Sequence, residues 1–236
     1  MRNELTILLI TAISIGFFHT LFGPDHYLPF IMMSKARNWK ISKTLLITFL
    51  CGLGHVAGSI FLGIIGVSIG IAISKIELFE SIRGNLAAWA FIAFGFVYFI
   101  WGIRKAIRNK PHTHFHKHED GSRHEHEHNH FEEHSHIHQN NKKQLTPWIL
   151  FTIFILGPCE PLIPILMYPA AKNNVLTLIL VTTAFAITTV VTMMTVVYIA
   201  TLGYKFIPLQ KMERYAHALA GFIIMFSGVG IQFLGL

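Results

Sequence analysis

Long apolar segments separated by polar ones dominate the chain. We count six of them, each at or above the roughly 20 residues that cross a bilayer as a helix: residues 5–34, 43–74, 84–107, 147–171, 175–203 and 212–235. The first and fourth contain interior prolines, among them Pro24 and Pro158. The pattern predicts an all-α integral membrane protein with six transmembrane helices, of which helices 1 and 4 are broken by proline.

One polar segment, residues 108–146, is much longer than the others. It is rich in histidine and acidic residues and almost free of aliphatic ones, a composition typical of disordered chain. We therefore expect a disordered histidine-rich loop between an N-terminal three-helix half, residues 1–107, and a C-terminal three-helix half, residues 147–236.

The two halves resemble each other around their prolines. "GPDHYLPFIMM" from Gly23 and "GPCEPLIPILM" from Gly157 share Gly, Pro, Leu, Ile and Met at the same offsets. Because each half has an odd number of helices, the second half must be inverted relative to the first. Inverted repeats with equivalent broken helices are typical of transporters, whose site lies near the midplane where the two breaks meet.

Composition agrees with a membrane protein, since 53% of the residues are hydrophobic and only 13% are charged. The mean hydropathy is +0.52. The net charge of +7 belongs to the loops, so we expect no nucleic-acid partner. No Walker-type phosphate-binding motif is present, and we expect no enzymatic activity.

The distribution of lysine and arginine predicts the orientation. The loops after the first, third and fifth spans, counted together with the adjoining span ends, hold four, eight and three of them, against four on the opposite side. Positive residues concentrate in cytoplasmic loops. The histidine-rich loop is therefore expected in the cytoplasm, with both termini outside, in a multi-pass protein of the inner or plasma membrane.

Polar residues near the two breaks form a candidate metal site. Proline frees the backbone carbonyl four residues earlier, at Thr20 and Phe154, and lipid cannot satisfy such groups. A charged residue within a span costs at least about 2.5 kcal/mol, so we interpret the polar residues there as functional. Imidazole with carboxylate suits a divalent transition metal. The expected ligands are His19, Asp25, His26, His55, Cys159 and Glu160.

Other histidines have separate interpretations. His217 is expected to make a helix–helix hydrogen bond. Eleven histidines lie in the loop, and an imidazole-rich tract is typical of transition-metal binding. We expect these loop residues to gather metal: His112, His114, His116, His118, His124, His126, His128, His130, His134, His136 and His138.

Two short motifs resemble a known family of transporters. His-x5-Asp-His, from His19 to His26, and "LCGLGH", which ends at His55, resemble the nickel/cobalt transporter superfamily. The layout with a histidine-rich central loop is similar to its exporter branch. The resemblance implies nickel or cobalt as the cargo, with His19, Asp25 and His26 as ligands from the first helix and His55 as their partner.

A second resemblance concerns the cysteines. "GPCEPLIP" from Gly157 resembles the proline–cysteine break of the membrane thiol–disulfide relay proteins of cytochrome c maturation. Those proteins place one cysteine at each of two equivalent breaks, whereas here Asp25 occupies the position equivalent to Cys159. Sulfite-exporter-like proteins are similar in layout, but an anion site would want lysine or arginine at the breaks, and the sequence indicates none there.

These features predict a transporter for a divalent transition metal, with nickel or cobalt favoured over zinc and no permanently bound cofactor. Efflux is favoured, because cytoplasmic histidines would collect the ion for export. The alternatives are a thiol–disulfide electron relay that uses Cys51 and Cys159, an uptake permease, and a metal sensor that does not transport. The expected partners are the metal ion and the lipid bilayer, and a homo-oligomer is an open expectation.

Overall fold

The chain folds mainly into helices. The computed structural model describes residues 2–68, 73–108, 112–117, 123–128, 145–159, 161–172, 174–203 and 214–234. In chain order the helices are α1 Arg2–Phe22, α2 Leu28–Ala36, α3 Ile41–Ser68, α4 Ile73–Arg108, α5 Leu145–Leu156, α6 Leu162–Ala171, α7 Val175–Gly203 and α8 Ala216–Leu234.

Among the described residues, five helices are long and apolar enough to cross a membrane: Asn3–Phe22, Ile41–Ile65, Lys75–Arg108, Val175–Gly203 and Ala216–Leu234. The protein is therefore a multi-pass membrane protein. Large apolar side chains such as Phe22, Phe61 and Phe233 are about 70% exposed and contact lipid. The predicted fourth span consists of two shorter helices, α5 and α6, so the count of six spans stays a prediction.

The third span begins earlier than the sequence pattern predicts. Residue 84 is the expected start, whereas α4 begins at Ile73. The difference arises because the first turns of α4 carry Lys75, Glu77, Glu80 and Arg83, which lower the local hydropathy without preventing a helix. All four charged residues consequently lie inside a helix rather than in a loop.

Both predicted proline breaks are present. The first helix ends at Phe22, and a short 3₁₀ helix, Pro24–His26, separates it from α2. In the second half, α5 ends at Leu156 and α6 begins at Leu162. Proline lacks the amide hydrogen that would continue the helical ladder, and the helices end two residues before Pro24 and Pro158. We call residues 23–27 the first break and residues 157–161 the second break.

The helices pair across the two halves. The last helices of the halves, α4 and α8, pack against each other, α1 packs on α7, and α3 packs on α5. The approach of α4 to α8 is so close that a Cβ atom added at Gly102 would clash with the Ala218 backbone nitrogen. A two-fold relation between halves would produce this pairing, and the inverted repeat itself stays a prediction.

The histidine-rich loop contains two short antiparallel strands, β1 His112–Lys117 and β2 Arg123–His128. Their register places His112 opposite His128, His114 opposite His126 and His116 opposite His124. The expected disorder of residues 108–146 without metal stays a prediction, although the backbone here pairs two strands. His118, His130, His134, His136 and His138 lie outside the described residues.

Candidate functional site

The first break brings His19 and His26 together. His19 lies in the last turn of α1, and His26 ends the 3₁₀ helix that follows Pro24. The tight turn folds the chain back, so the two imidazole rings lie with centroids 4.8 Å apart at an interplanar angle of 81°. A continuous helix would place residues seven apart about 10 Å apart along its axis. The first break therefore brings the His19 and His26 rings into contact.

The third histidine comes from α3. His55 is 3% exposed, and its ring centroid lies 5.0 Å from that of His26 at 87°. One ligand nitrogen from each of His19, His26 and His55 can be chosen so that all three lie within 4.8 Å of one another. We call these residues the histidine cluster.

Hydrogen-bond acceptors lie beside the Nδ1 atoms of His26 and His55. His26 Nδ1 lies 3.2 Å from the Gly23 carbonyl and 3.2 Å from Asp25 Oδ1. His55 Nδ1 lies 3.4 Å from the Phe154 carbonyl, which Pro158 cannot bond. An acceptor beside Nδ1 fixes the tautomer with hydrogen on Nδ1 and a lone pair on Nε2, as in metal-ligating histidines.

The Nε2 atoms are buried without partners. His19 Nε2, His26 Nε2 and His55 Nε2 make no hydrogen bond within the described part of the chain. Leaving a buried polar atom unsatisfied costs about 1–3 kcal/mol, and three occur in one place. The arrangement is suited to a ligand that accepts three lone pairs.

Of the other predicted ligands, the structure describes Asp25 and Cys159, and neither belongs to the histidine cluster. Asp25 contacts His26 Nδ1 and is not one of the three grouped ligands. Cys159 is fully buried in the second break, and it packs with Ala12, Leu162 and Phe185 rather than with the histidines. Glu160 lies outside the described residues. The metal-binding role of these three residues stays a prediction.

Both cysteines are free thiols. Cys51 is 1% exposed and packs in a second apolar cluster with Phe30 and Met193. The amide of Cys159 donates to Ser59 Oγ at 3.2 Å. Ser59 follows Cys51 by eight residues of α3, or about 12 Å along the helix axis. Cys159 therefore lies about two helical turns from Cys51.

A polar network that the sequence pattern did not predict lies at the second break. Glu80 is fully buried in α4 and forms an ion pair with Arg83. Arg83 Nη2 donates to the carbonyls of Ile155 at 2.7 Å and Gly157 at 3.3 Å. Ser59 Oγ donates to Glu80 Oε2 at 3.2 Å. We call Ser59, Glu80 and Arg83 the break network.

The break network corrects one expectation, since Arg83 lies at the second break, where the sequence indicated no arginine or lysine. Counting positive residues assigned it to a loop. The available signal was the spacing of Glu80 and Arg83, because charges three apart pair on one helix face. The network holds the interrupted backbone that forms one wall of the histidine cluster.

His217 makes the expected helix–helix contacts. Its Nδ1 lies 2.8 Å from Tyr98 Oη and its Nε2 lies 3.2 Å from Lys105 Nζ, both on α4. These contacts confirm that it lies outside the histidine cluster.

One known protein family matches this chain. A family model described as the cytochrome C biogenesis protein transmembrane region matches residues 28–230. No curated protein and no solved structure matches the chain. The matched range includes Cys51, His55 and Cys159 but begins after His19 and His26. The family match agrees with the resemblance of "GPCEPLIP" to the thiol–disulfide relay proteins and favours the thiol–disulfide alternative. It gives no support to the resemblance to the nickel/cobalt transporter superfamily.

Proposed function

This chain belongs to the family of cytochrome c biogenesis protein transmembrane regions, and we propose that on this membrane scaffold it binds and transports a divalent transition-metal ion. The observation that carries the proposal is the convergence of three imidazoles whose buried Nε2 atoms have no partner within the described residues. A metal ion would satisfy all three nitrogens at once.

The ligand set selects a class of metal. Imidazole nitrogen suits zinc, copper, iron and nickel, whereas magnesium and calcium require oxygen ligands. Nickel or cobalt is the favoured cargo and zinc the next. The Asp25 carboxylate would orient His26 and offset part of the ionic charge, as carboxylates do behind metal-ligating histidines. No resident cofactor and no enzymatic reaction is proposed.

Transport requires access to the cluster from both membrane faces. The histidine cluster lies where the first break, α3 and the second break meet, and interrupted helices at such a position are the elements that move in transporters. We propose that the two halves rock about the breaks and expose the cluster alternately. A cytoplasmic histidine loop would supply the ion and favour efflux.

Family membership favours a second candidate, an electron relay through Cys51 and Cys159. A disulfide requires Cα atoms within about 7 Å. The two thiols are free, pack in different apolar clusters and lie about two turns of α3 apart. A relay would therefore require the second break to move along α3 in each cycle.

Replacing both cysteines distinguishes the two candidates. We expect a Cys51→Ala, Cys159→Ala variant in proteoliposomes to move nickel, cobalt or zinc at a rate within about twofold of wild type, because neither thiol belongs to the histidine cluster. Metal flux is measured with an enclosed metal-sensitive dye, and thiol redox state by alkylation. Loss of flux together with thiols that change oxidation state during turnover in wild type would establish the relay instead.

A further inference from the structure

A third polar cluster, besides the histidine cluster and the break network, lies at one end of the bundle, away from both breaks. There α2 and α4 end while α5 and α8 begin. We call it the basic cluster, and its members are Arg37, Tyr98, Trp101, Lys105, Thr146 and His217.

Hydrogen bonds join the cluster through Tyr98, which is 6% exposed. Arg37 Nε donates to Tyr98 Oη at 3.1 Å, and Arg37 Nη2 donates to Thr146 Oγ1 at 3.0 Å. His217 lies between the other two partners, with Nδ1 at 2.8 Å from Tyr98 Oη and Nε2 at 3.2 Å from Lys105 Nζ.

These contacts leave one donor without an acceptor. Because the Lys105 ammonium can only donate, His217 Nε2 must carry the lone pair and Nδ1 the hydrogen. Tyr98 Oη then accepts from both Arg37 and His217, and its own hydrogen has no acceptor among these contacts. If Tyr98 donated to His217 instead, the Nε2 hydrogen would face the ammonium. Either arrangement calls for an added acceptor.

The two cations of the cluster also lack a carboxylate partner within the residues that the structure describes. Arg37 and Lys105 lie on the Trp101 ring, 5.8 Å and 5.5 Å from its centroid. Within the described part of the chain, neither cation forms an ion pair with a carboxylate; the pairs there join other residues. Water could accept the free hydrogen, but only an anion would also balance two positive charges.

The cluster is held in place and is accessible. The backbones of α4 and α8 touch at Gly102 and Ala218, which fixes His217 against Tyr98 and Lys105. Trp101 is 43% exposed and the last turn of α4 carries Lys105 and Arg108. Aromatic and basic residues of this kind are enriched at the membrane boundary, where lipid phosphates lie.

We propose that the basic cluster binds a phosphate group, carried either by an anionic lipid headgroup or by a free phosphate anion. A phosphate offers several acceptor oxygens and matches the planar donor fork of arginine. It also carries the negative charge that would balance the two cations. Tyr98, Arg37 and Lys105 would all donate to it. The site is separate from the histidine cluster and does not depend on metal transport.

Two probes test the site on the full-length chain and identify the source of the phosphate. Equilibrium binding of radiolabelled inorganic phosphate is measured in phosphatidylcholine nanodiscs. Retention of phosphatidylglycerol over phosphatidylcholine is measured by native mass spectrometry after extraction from mixed vesicles. Saturable binding of the first probe identifies a free anion, and selective retention of the second identifies a lipid headgroup.

Variants assign the binding to the cluster. Arg37→Gln should lower the affinity for the probe that binds by about tenfold or more, because it removes a charge-assisted hydrogen bond. Tyr98→Phe, which keeps both cations and the aromatic ring, should lower the affinity for the same probe severalfold. Arg104→Gln, at an exposed position on α4, should bind like wild type. The proposal would be overturned if the wild-type protein bound neither probe. It would also be overturned if Arg37→Gln and Tyr98→Phe both bound a probe with wild-type affinity.

Discussion

Replacing His26 with alanine is expected to lower metal affinity at least about 100-fold and to abolish metal flux in proteoliposomes. His26 lies between the other two rings, 4.8 Å from His19 and 5.0 Å from His55 by centroid. Its removal would leave two imidazoles with no third ligand, and even residues behind metal ligands cost 10- to 100-fold when mutated. Affinity is measured by equilibrium dialysis of the purified protein with nickel, cobalt and zinc.

A matched control uses the same helix as His55. Cys51 lies one turn before His55 on α3 and is equally buried, so Cys51→Ala tests whether any buried change nearby affects binding. We expect this variant to bind and move metal like wild type. Equal affinity of His26→Ala and wild type for every metal tested would contradict the proposed cargo.

Replacing Arg83 with methionine is expected to lower the free energy of unfolding by about 3 kcal/mol. Glu80 is fully buried, and Arg83 is its charged partner. Removing one member of a buried pair leaves an uncompensated charge, which costs about 3–5 kcal/mol in proteins. The carbonyls of Ile155 and Gly157 would also lose their donor. Unfolding is followed by circular dichroism in a mixed-detergent titration.

A second substitution separates charge from packing. In the double variant Glu80→Gln, Arg83→Met the buried charge is gone, so we expect it to be more stable than Arg83→Met alone. Lys75→Met removes an exposed charge from the same helix and is expected to change stability by less than about 0.5 kcal/mol. An Arg83→Met protein as stable as wild type would show that the break network does not hold the second break.

The sequence predicted the positions of both breaks because proline acts locally. Pro24 and Pro158 interrupt their helices through a missing amide hydrogen, and no tertiary contact is needed to expect this. The carbonyl of Phe154, predicted to be free, lies 3.4 Å from His55 Nδ1. The Gly157 amide also donates to this carbonyl at 3.1 Å. The sequence indicated that the group needed a partner, whereas the packing of α3 on α5 is what brings the imidazole to it.

The candidate site was partly predictable. His19, His26 and His55 were expected together, and their ligand nitrogens do converge; that they bind metal stays a prediction. Cys159 was also expected there, but the turn of the second break directs it into an apolar cluster. Arg83 was missed because a count of positive charges cannot distinguish a loop arginine from one that reaches a broken backbone.

Family membership describes the scaffold more than the chemistry. The matched region, residues 28–230, contains both cysteines but only one member of the histidine cluster, because His19 and His26 precede it. Two residues of the proposed metal site therefore lie outside the matched region. A shared helical scaffold can carry different sites, and the site must be tested directly.

The most direct test is the visible absorption spectrum of Co²⁺ bound to the purified protein, with the eleven loop histidines replaced by glutamine. We predict one Co²⁺ ion per chain with the ligand-field bands of nitrogen and oxygen coordination, lost in His26→Ala and retained in Cys51→Ala. Absence of bound Co²⁺ in the loop-substituted protein, or a spectrum that His26→Ala leaves unchanged, would contradict metal binding by the histidine cluster.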